Sequence, residues 1–129
     1  MNNFKVGKEI VTILSGSSAV TDAVGNKVFP LIAVANTTFP FIVYRRTYYA
    51  PANTKDYEGE KVGVEMLIAS TKYDEGVDIA DKVATAENHA RTTMIDDVTI
   101  TNISEDFVED TFLQQINIEI TLKDTQNKN

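Results

Sequence analysis

The sequence contains no cysteine among its 129 residues. This absence excludes disulfide frameworks, thiolate metal sites and cysteine nucleophiles together, and it suits a reducing compartment. Long apolar runs are also missing: no stretch approaches the ~18 residues that span a bilayer, and the N-terminus lacks the apolar segment of a signal peptide. We therefore expect a soluble, unexported chain that does not enter a membrane.

Positive charge is also in short supply. Nineteen acidic residues stand against twelve lysines and arginines, so the formal net charge is -7. A protein that grips nucleic acid neutralises phosphates with basic side chains, which this balance opposes. DNA can pass close to such a chain, but we expect no specific binding.

Histidine occurs once, at His89, and no two glycines lie close enough to form a phosphate-binding loop. A Ser-His-Asp arrangement would need His89 together with one of five serines, and none of them lies in a Gly-x-Ser-x-Gly sequence. Those serines are Ser15, Ser17, Ser18, Ser70 and Ser104. The simpler interpretation places His89 in the last turn of a helix, beside Arg91, where the helix dipole favours it. We predict no catalytic residue and no nucleotide cofactor.

Four pairs of adjacent acids are the remaining candidates for a cation site or for two catalytic carboxylates. They are Asp74-Glu75, Asp96-Asp97, Glu105-Asp106 and Glu109-Asp110. Their spacing does not match a calcium-binding loop, and most fall in predicted turns, where adjacent carboxylates are usually solvated. We expect no metal site.

The densest aromatic and β-branched run covers residues 39–49 and predicts a central strand. Strict alternation gives this strand two faces, one with Phe41, Val43, Arg45, Thr47 and Tyr49 and the other with Ile42, Tyr44, Arg46 and Tyr48. Both faces begin apolar, so we expect helices to cover one face and another layer, such as a second subunit, to cover the other. Pro40 belongs at the first strand residue or just before it.

Hydrophobic periodicity and capping residues predict the other elements. A helix capped by Asn2 or Asn3 ends near Gly16, and a second short helix, capped by Ser17 or Ser18, ends at Gly25. The later elements are predicted in this order: a short extended segment at 28–29 ended by Pro30, an exposed hairpin loop over 50–56, a strand from 60, a helix from about 73 to 89 or 91, a strand over 98–103, a turn over 104–106 and a final strand over 112–122. The longer helix is expected to have Thr71 as its N-cap.

These elements predict one α+β domain over residues 1–122, followed by a flexible C-terminal tail over 123–129. The order is αα-β-β-β-α-β-β, with a mainly antiparallel sheet, an N-terminal helical hook and one longer helix packed on one face. The buried stripe of that helix is predicted to contain Val77, Ala80, Val83, Ala84 and Glu87. Gly63, inside a predicted strand, suggests that another backbone approaches closely.

One cluster combines basic and aromatic side chains, at Arg45 and Arg46 with Tyr44, Tyr48 and Tyr49. It is compatible with stacking on single-stranded nucleic acid, with a protein interface, or with an ordinary structural strand. In so acidic a chain we favour an interface over nucleic acid. The predicted interface residues are Arg45, Arg46, Tyr48, Tyr49, Lys55, Asp56 and Tyr57.

Two short segments resemble a known family. The chain reads Val-Gly-Asn-Lys-Val-Phe-Pro at 24–30 and Pro-Phe-Ile-Val-Tyr at 40–44, between an apolar N-terminal helix and a later Val- and Ala-rich helix. This combination resembles the tail completion proteins of long-tailed bacteriophages, also described as tail terminator or tail-to-head joining proteins. The sequence departs from the family pattern in a more polar first helix and in residues 50–57.

The resemblance implies a structural subunit of a ring, typically a hexamer, without catalysis or cofactor. Such a ring caps the tail tube, presents a surface to the head connector and lets DNA pass through without specific binding. It implies a place in the virion at the junction of tail and head, after assembly in the cytoplasm of the host bacterium. The alternative interpretation is a small acidic cytosolic protein-binding module unrelated to phage tails.

Overall fold

A computed structural model describes residues 2–54 and 57–123 of the chain. Within these residues a 3₁₀ turn at Asn2–Lys5 precedes three helices and five strands. The elements are α1 (Val6–Ser15), α2 (Ser18–Val24), β1 (Val28–Pro30), β2 (Phe41–Thr54), β3 (Tyr57–Ser70), α3 (Tyr73–Glu87), β4 (Ile95–Val108) and β5 (Thr111–Leu122). The predicted α+β class and element order are confirmed.

The five strands form one sheet in the order β1-β2-β3-β5-β4. Only the β1–β2 pair is parallel, and the other three pairs are antiparallel. The central strand is therefore β3, which corrects the prediction that residues 39–49 form it. Strand β2 has neighbours on both sides only at Ile42–Tyr44, because β1 is three residues long.

The hydrophobic core lies on one face of the sheet, between β3, β5 and the three helices. Alternate residues of β3 and β5 point into it, as the sequence pattern predicted. The buried strand side chains are Val62, Val64, Met66 and Ile68 from β3 and Ile116, Ile118, Ile120 and Leu122 from β5. Helix α3 contributes Ile79, Ala80 and Val83, whereas Val77 is 41% exposed, so its assignment to the buried stripe was wrong.

The N-terminal hook forms as predicted apart from its first cap. The Ser17 side chain accepts a hydrogen bond from the Val20 amide and starts α2, and Gly25 ends that helix with a φ of 63°. Neither asparagine caps α1, however, because Asn2 and Asn3 belong to the 3₁₀ turn and Lys5 occupies the N-cap position.

Both long hairpins extend further than predicted. Strand β2 continues through Pro51 to Thr54, and β3 begins at Tyr57, so residues 50–54 are strand rather than loop. Proline is tolerated because β1 does not reach this part of β2, leaving an edge where a missing N–H breaks no ladder bond. Likewise β4 is continuous from Ile95 to Val108, and the predicted turn over 104–106 is part of it.

The chain reverses between β4 and β5 at Glu109 and Asp110, where φ is 51° and 60°. Val108 pairs with Thr111, so this is a two-residue hairpin loop. Positive φ at both positions matches the type I′ turn, whose twist fits that of the flanking strands.

Helix α3 begins at Tyr73, as predicted, but its capping residue and its C-terminal end differ from the prediction. Thr71 does not cap it: the Ser70 hydroxyl accepts a hydrogen bond from the Lys72 amide and donates one to Glu75. The helix ends at Glu87, because Asn88 has extended backbone angles and His89 has a φ of 59°. His89 and Arg91 therefore lie beyond the last turn, which corrects the helix-dipole explanation for His89. Residues 124–129 of the predicted tail lie outside the described part of the chain.

Candidate assembly interface

The predicted basic and aromatic cluster is divided between the two faces of the sheet. The register of β2 against β3 shifts between Arg46 and Tyr48, so Thr47 is an extra residue, a β-bulge. Arg45 and Tyr48 consequently share the face away from the helices, and Arg46 and Tyr49 share the face towards them. The strict alternation predicted for this strand fails at Thr47.

On the face away from the helices, charged and polar side chains form a row across three strands. Arg45 Nε lies 3.3 Å from Glu65 Oε1, and the Tyr48 hydroxyl donates a 2.7 Å hydrogen bond to Glu119. Lys61 Nζ is 3.7 Å from the other oxygen of Glu119. Burial, followed by the hydrogen bond to Glu119, raises the pKa of Tyr48 to about 12. These contacts hold Arg45 and Tyr48 in defined positions on an exposed surface.

Gly63 provides the space that the Tyr48 ring requires. A Cβ at Gly63 would lie 2.1 Å from Tyr48 Cε2 and 2.7 Å from Thr47 Oγ1. The Tyr48 ring therefore covers β3 at Gly63, where the strand has no side chain of its own. Aromatic side chains packed in this way stabilise glycines in sheets. The glycine does mark a close approach, but the approaching groups are side chains from the bulge rather than another backbone.

On the opposite face, Arg46 ties the 3₁₀ turn to β2. Its Nη1 donates a 2.9 Å hydrogen bond to Asn3 Oδ1, and its guanidinium carbon is 4.9 Å from the centre of the Phe4 ring. Asn3 is 4% exposed and donates in turn to Glu60. Arg46 thus has a structural role as well as an exposed surface.

The other predicted interface residues do not form a single site in the described part of the chain. Tyr57 begins β3 and pairs with Thr54, and Tyr49 remains 42% exposed on β2. Lys55 and Asp56 lie outside the described residues. Of the seven predicted residues, four therefore lie on β2, and they are divided equally between the two faces of the sheet.

A partly apolar surface, which was not predicted from the sequence, lies at the end of β1, next to β2. A cavity of about 340 Å³ lies there, where β1 ends. We call this surface the basic edge, and its residues are Phe4, Lys8, Leu31, Tyr44, Arg45 and Arg46. Phe4 and Leu31 are 68% and 73% exposed. The signal was available in the sequence, since residues 31–39 contain four large apolar residues, but no site was predicted from them.

The other side of the sheet ends at β4, whose residues 101–108 are all exposed. Apolar and acidic side chains lie close together along this stretch and the turn after it. We call this surface the acidic edge, and its residues are Ile103, Glu105, Asp106, Phe107, Val108, Glu109 and Asp110. The Phe107 ring packs on Phe112 with centroids 4.7 Å apart, and the Tyr73 hydroxyl donates to Glu105.

The remaining candidates form no reactive group in the described part of the chain. His89 Nδ1 is 3.1 Å from Asp97 Oδ1, and within residues 2–54 and 57–123 no serine hydroxyl bonds to this ring. The same residues contain no group of three or more His, Asp or Glu side chains arranged to hold a metal ion. No described helix has the length and apolar character needed to cross a bilayer.

The sheet of this α+β domain ends in two exposed edges, each bordered by apolar side chains, and such edges are typical of proteins that assemble with partners. The comparison with known families agrees. The family model described as Tail completion protein gp17 matches residues 8–121, so the chain belongs to this family of phage structural proteins.

Solved structures share the fold. One of them, described as the virion of a native gene transfer agent particle, superimposes with a TM-score of 0.77 at 12% sequence identity. The match covers 88% of this chain and 90% of the other. No curated protein matches the sequence.

Proposed function

We propose that this chain is the subunit of a hexameric ring that caps the phage tail tube and joins it to the head connector. The ring belongs to the virion at the junction of tail and head and assembles in the cytoplasm of the host bacterium. Its partners are further copies of the chain, the tail tube protein and the head-tail connector protein. The role is structural, without catalysis.

One observation carries this proposal: the exposed apolar side chains are concentrated at the two edges of the sheet. Among the residues whose side chains the structure describes, twelve large hydrophobic residues are at least 40% exposed. Seven lie on or next to β1 and β2 (Phe4, Leu31, Ile32, Val34, Phe39, Tyr48 and Tyr49), and four lie on or next to β4 (Tyr73, Ile103, Phe107 and Val108). The twelfth, Val77, lies on α3. Exposed apolar surface of this extent is typical of proteins that bury it against partners.

The face of the sheet away from the helices offers further contact area. No described element covers it, and its end nearest the start of β2 carries the aromatic contacts of Phe41 with Phe29 and Phe39. The other end carries Arg45 and Tyr48. We assign Arg45, Arg46, Tyr48 and Tyr49, together with Lys55, Asp56 and Tyr57, to contacts with a neighbouring subunit or the tail tube.

The charge of the chain suits a channel for DNA. A net charge of -7 on each subunit repels a polyanion, so DNA can move through the ring without being held. The proposal therefore includes passage of DNA and no specific binding to it.

Complementation of phage particles that lack this chain tests the proposal. The wild-type chain should form ring particles in electron micrographs and restore the joining of tails to heads. Arg45→Glu with Arg46→Glu should abolish both, because two cations at an interface become anions. Lys82→Glu with Arg91→Glu, in the separate groove between α1 and α3, makes the same change in net charge and should leave both intact.

Two outcomes would contradict the proposal. One is normal joining of tails to heads by the Arg45 and Arg46 variant. The other is a wild-type chain that stays monomeric both alone and with tail tubes, without ring particles, as expected for a small cytosolic binding module.

A further inference from the structure

The formal charges of the chain are divided between the two edges of its sheet. Residues 1–54, which form the hook, β1 and β2, contain five lysines and arginines and two acids. Residues 92–122, which form the β4–β5 hairpin, contain seven acids and no lysine or arginine. Since β1–β2 and β4 occupy opposite sides of the sheet, one molecule carries a positive and a negative side.

The two edges also complement each other in shape and in the placement of their apolar and charged side chains. The cavity at the basic edge has apolar walls from Phe4, Leu31 and Tyr44 and cations from Lys8, Arg45 and Arg46. The acidic edge presents protruding apolar side chains, with Ile103 and Phe107 57% and 54% exposed, among its carboxylates. An apolar projection with acids around it fits an apolar cavity with cations around it.

Strand direction allows these two edges to meet. Three successive antiparallel pairings, from β2 to β3, β5 and β4, make β4 antiparallel to β2. If a second copy lies beside the first with its sheet in the same orientation, its β4 runs antiparallel to the neighbouring β2. In the described residues β2 has no strand partner on that side after Tyr44. Exposed strand edges of this kind are templates for pairing with another chain.

We propose that the basic edge of one copy docks against the acidic edge of the next copy. This inference rests on the proposed ring and names the surfaces that form its subunit contact. The two edges differ, so the contact is head-to-tail rather than symmetric, and each copy keeps one edge of either kind for a further neighbour. Head-to-tail contacts generate closed rings when the rotation between neighbours closes.

Charge reversal on each edge tests the docking. The first variant, Lys8→Glu with Arg45→Glu, makes the basic edge negative, and the second, Asp106→Lys with Glu109→Lys and Asp110→Lys, makes the acidic edge positive. All five residues are exposed, and Glu109→Lys exchanges two long side chains at the same backbone angle. Circular dichroism verifies the fold of each variant, and light scattering after size exclusion measures association.

Each variant alone should associate about 100-fold more weakly than wild type, because like charges then face each other. An equimolar mixture of the two should recover association. In an alternating arrangement every contact joins either two original edges or two reversed edges, and both combinations are complementary. One chain with all five substitutions should also associate with itself.

Matched controls change the net charge equally but away from the edges. Lys82→Glu with Arg91→Glu controls for the first variant, and Asp74→Lys with Asp78→Lys and Asp81→Lys, on exposed positions of α3, controls for the second. Both controls should associate like wild type. Light scattering of the wild-type chain itself should show head-to-tail oligomers.

The docking is overturned if either edge variant associates normally, if the mixture fails to recover association, or if the wild-type chain shows no self-association. If wild-type rings still join tails to heads while the mixture fails, only the choice of edges is wrong. If wild-type chains neither form rings nor join tails to heads, the proposed function itself fails.

Discussion

At the scale of single residues, Glu87 is an ionisable member of the core, in the buried stripe of α3 where the sequence predicted it. It lies in the last turn of α3, is 0% exposed, and within the described residues neither carboxylate oxygen has a hydrogen-bond partner. Burial raises its pKa from 4.5 to about 8. An ionised carboxylate without a partner is costly in such a place, so the folded state holds Glu87 protonated at neutral pH.

The protonation of Glu87 predicts how stability depends on pH. Between pH 4.5 and about 8 the folded chain keeps a proton that the unfolded chain has lost, so the free energy of unfolding falls as pH rises. At about 1.4 kcal/mol per pKa unit, the fall amounts to at most about 5 kcal/mol. Glu87→Gln, which keeps the shape without the charge, should remove this part of the dependence.

Urea unfolding at both ends of this pH range measures the effect. The Gln variant should match wild type near the acid end and be more stable by about 3 kcal/mol or more near the alkaline end. Glu105→Gln is the matched control, because the Glu105 carboxylate is exposed and its pKa is lowered by hydrogen bonds from Gln114 and Tyr73. Equal pH profiles for wild type and Glu87→Gln would contradict the assignment.

The residue assignments that could be predicted were those that depend on local pattern. Alternation identified the buried side chains of β3 and β5, and the polar positions Asp74, Asp78 and Asp81 do face water. The faces of Tyr48 and Tyr49 could not be predicted, because the bulge at Thr47 is defined only by the partner strand.

At the scale of elements, the turn between β4 and β5 places ordinary residues in an unusual conformation. Glu109 and Asp110 both have positive φ, where Asn-Gly or Asp-Gly is preferred. Replacing them by Glu109→Asn with Asp110→Gly should raise the free energy of unfolding by about 1 kcal/mol, because the new residues adopt positive φ with less strain.

Thermal and urea unfolding check this prediction. Glu109→Gln serves as the control, since it removes a charge without supplying the turn chemistry, and should change stability by less than about 0.5 kcal/mol. If the Asn-Gly variant is no more stable than Glu109→Gln, strain at the turn is not significant. The Asn-Gly variant also loses two acids of the acidic edge, so its self-association should weaken even while its fold becomes more stable.

The predicted boundaries of elements were wrong where exposed strands have the composition of loops. Residues 50–54 include Pro51 and Asn53, and residues 104–106 are Ser-Glu-Asp, yet both segments are strand. Such residues are permitted because each segment borders a free edge, where side chains stay solvated and a missing N–H costs nothing. The turn at Glu109 and Asp110 contains no glycine, asparagine or proline, so it was not predicted from the sequence.

At the scale of the whole molecule, the sequence predicted the α+β class but not the strand order. The strand order depends on pairings between distant parts of the chain. These pairings place β1 beside only the first residues of β2 and place β4 at the opposite edge of the sheet. The separation of charge was visible in the sequence as a run of acids after Arg91. Its meaning became apparent only when the sheet placed that run opposite the basic segment.

This separation predicts that self-association depends on salt. Charges on exposed edges are screened once the Debye length, ~10 Å at about 0.1 M salt, becomes shorter than their separation. Raising sodium chloride from about 0.05 to about 0.5 M should therefore weaken association of the wild-type chain by about tenfold or more. Apolar contacts are not weakened by screening of charge, and excluded salts such as sulfate strengthen them. A contact held mainly by Phe107 and the cavity would therefore not weaken as the salt concentration rises.

A neutral variant separates the two contributions. Arg45→Gln with Lys8→Gln removes two of the three cations of the basic edge without introducing repulsion. Its association should therefore be weaker at low salt and less dependent on sodium chloride than that of wild type. The chain with both edges reversed is the matched control, since it retains the opposite charges and should keep the salt dependence of wild type. Sedimentation velocity across the salt series measures all three proteins. If the neutral variant shows the same salt dependence as wild type, the charges that cause this dependence do not include Lys8 and Arg45.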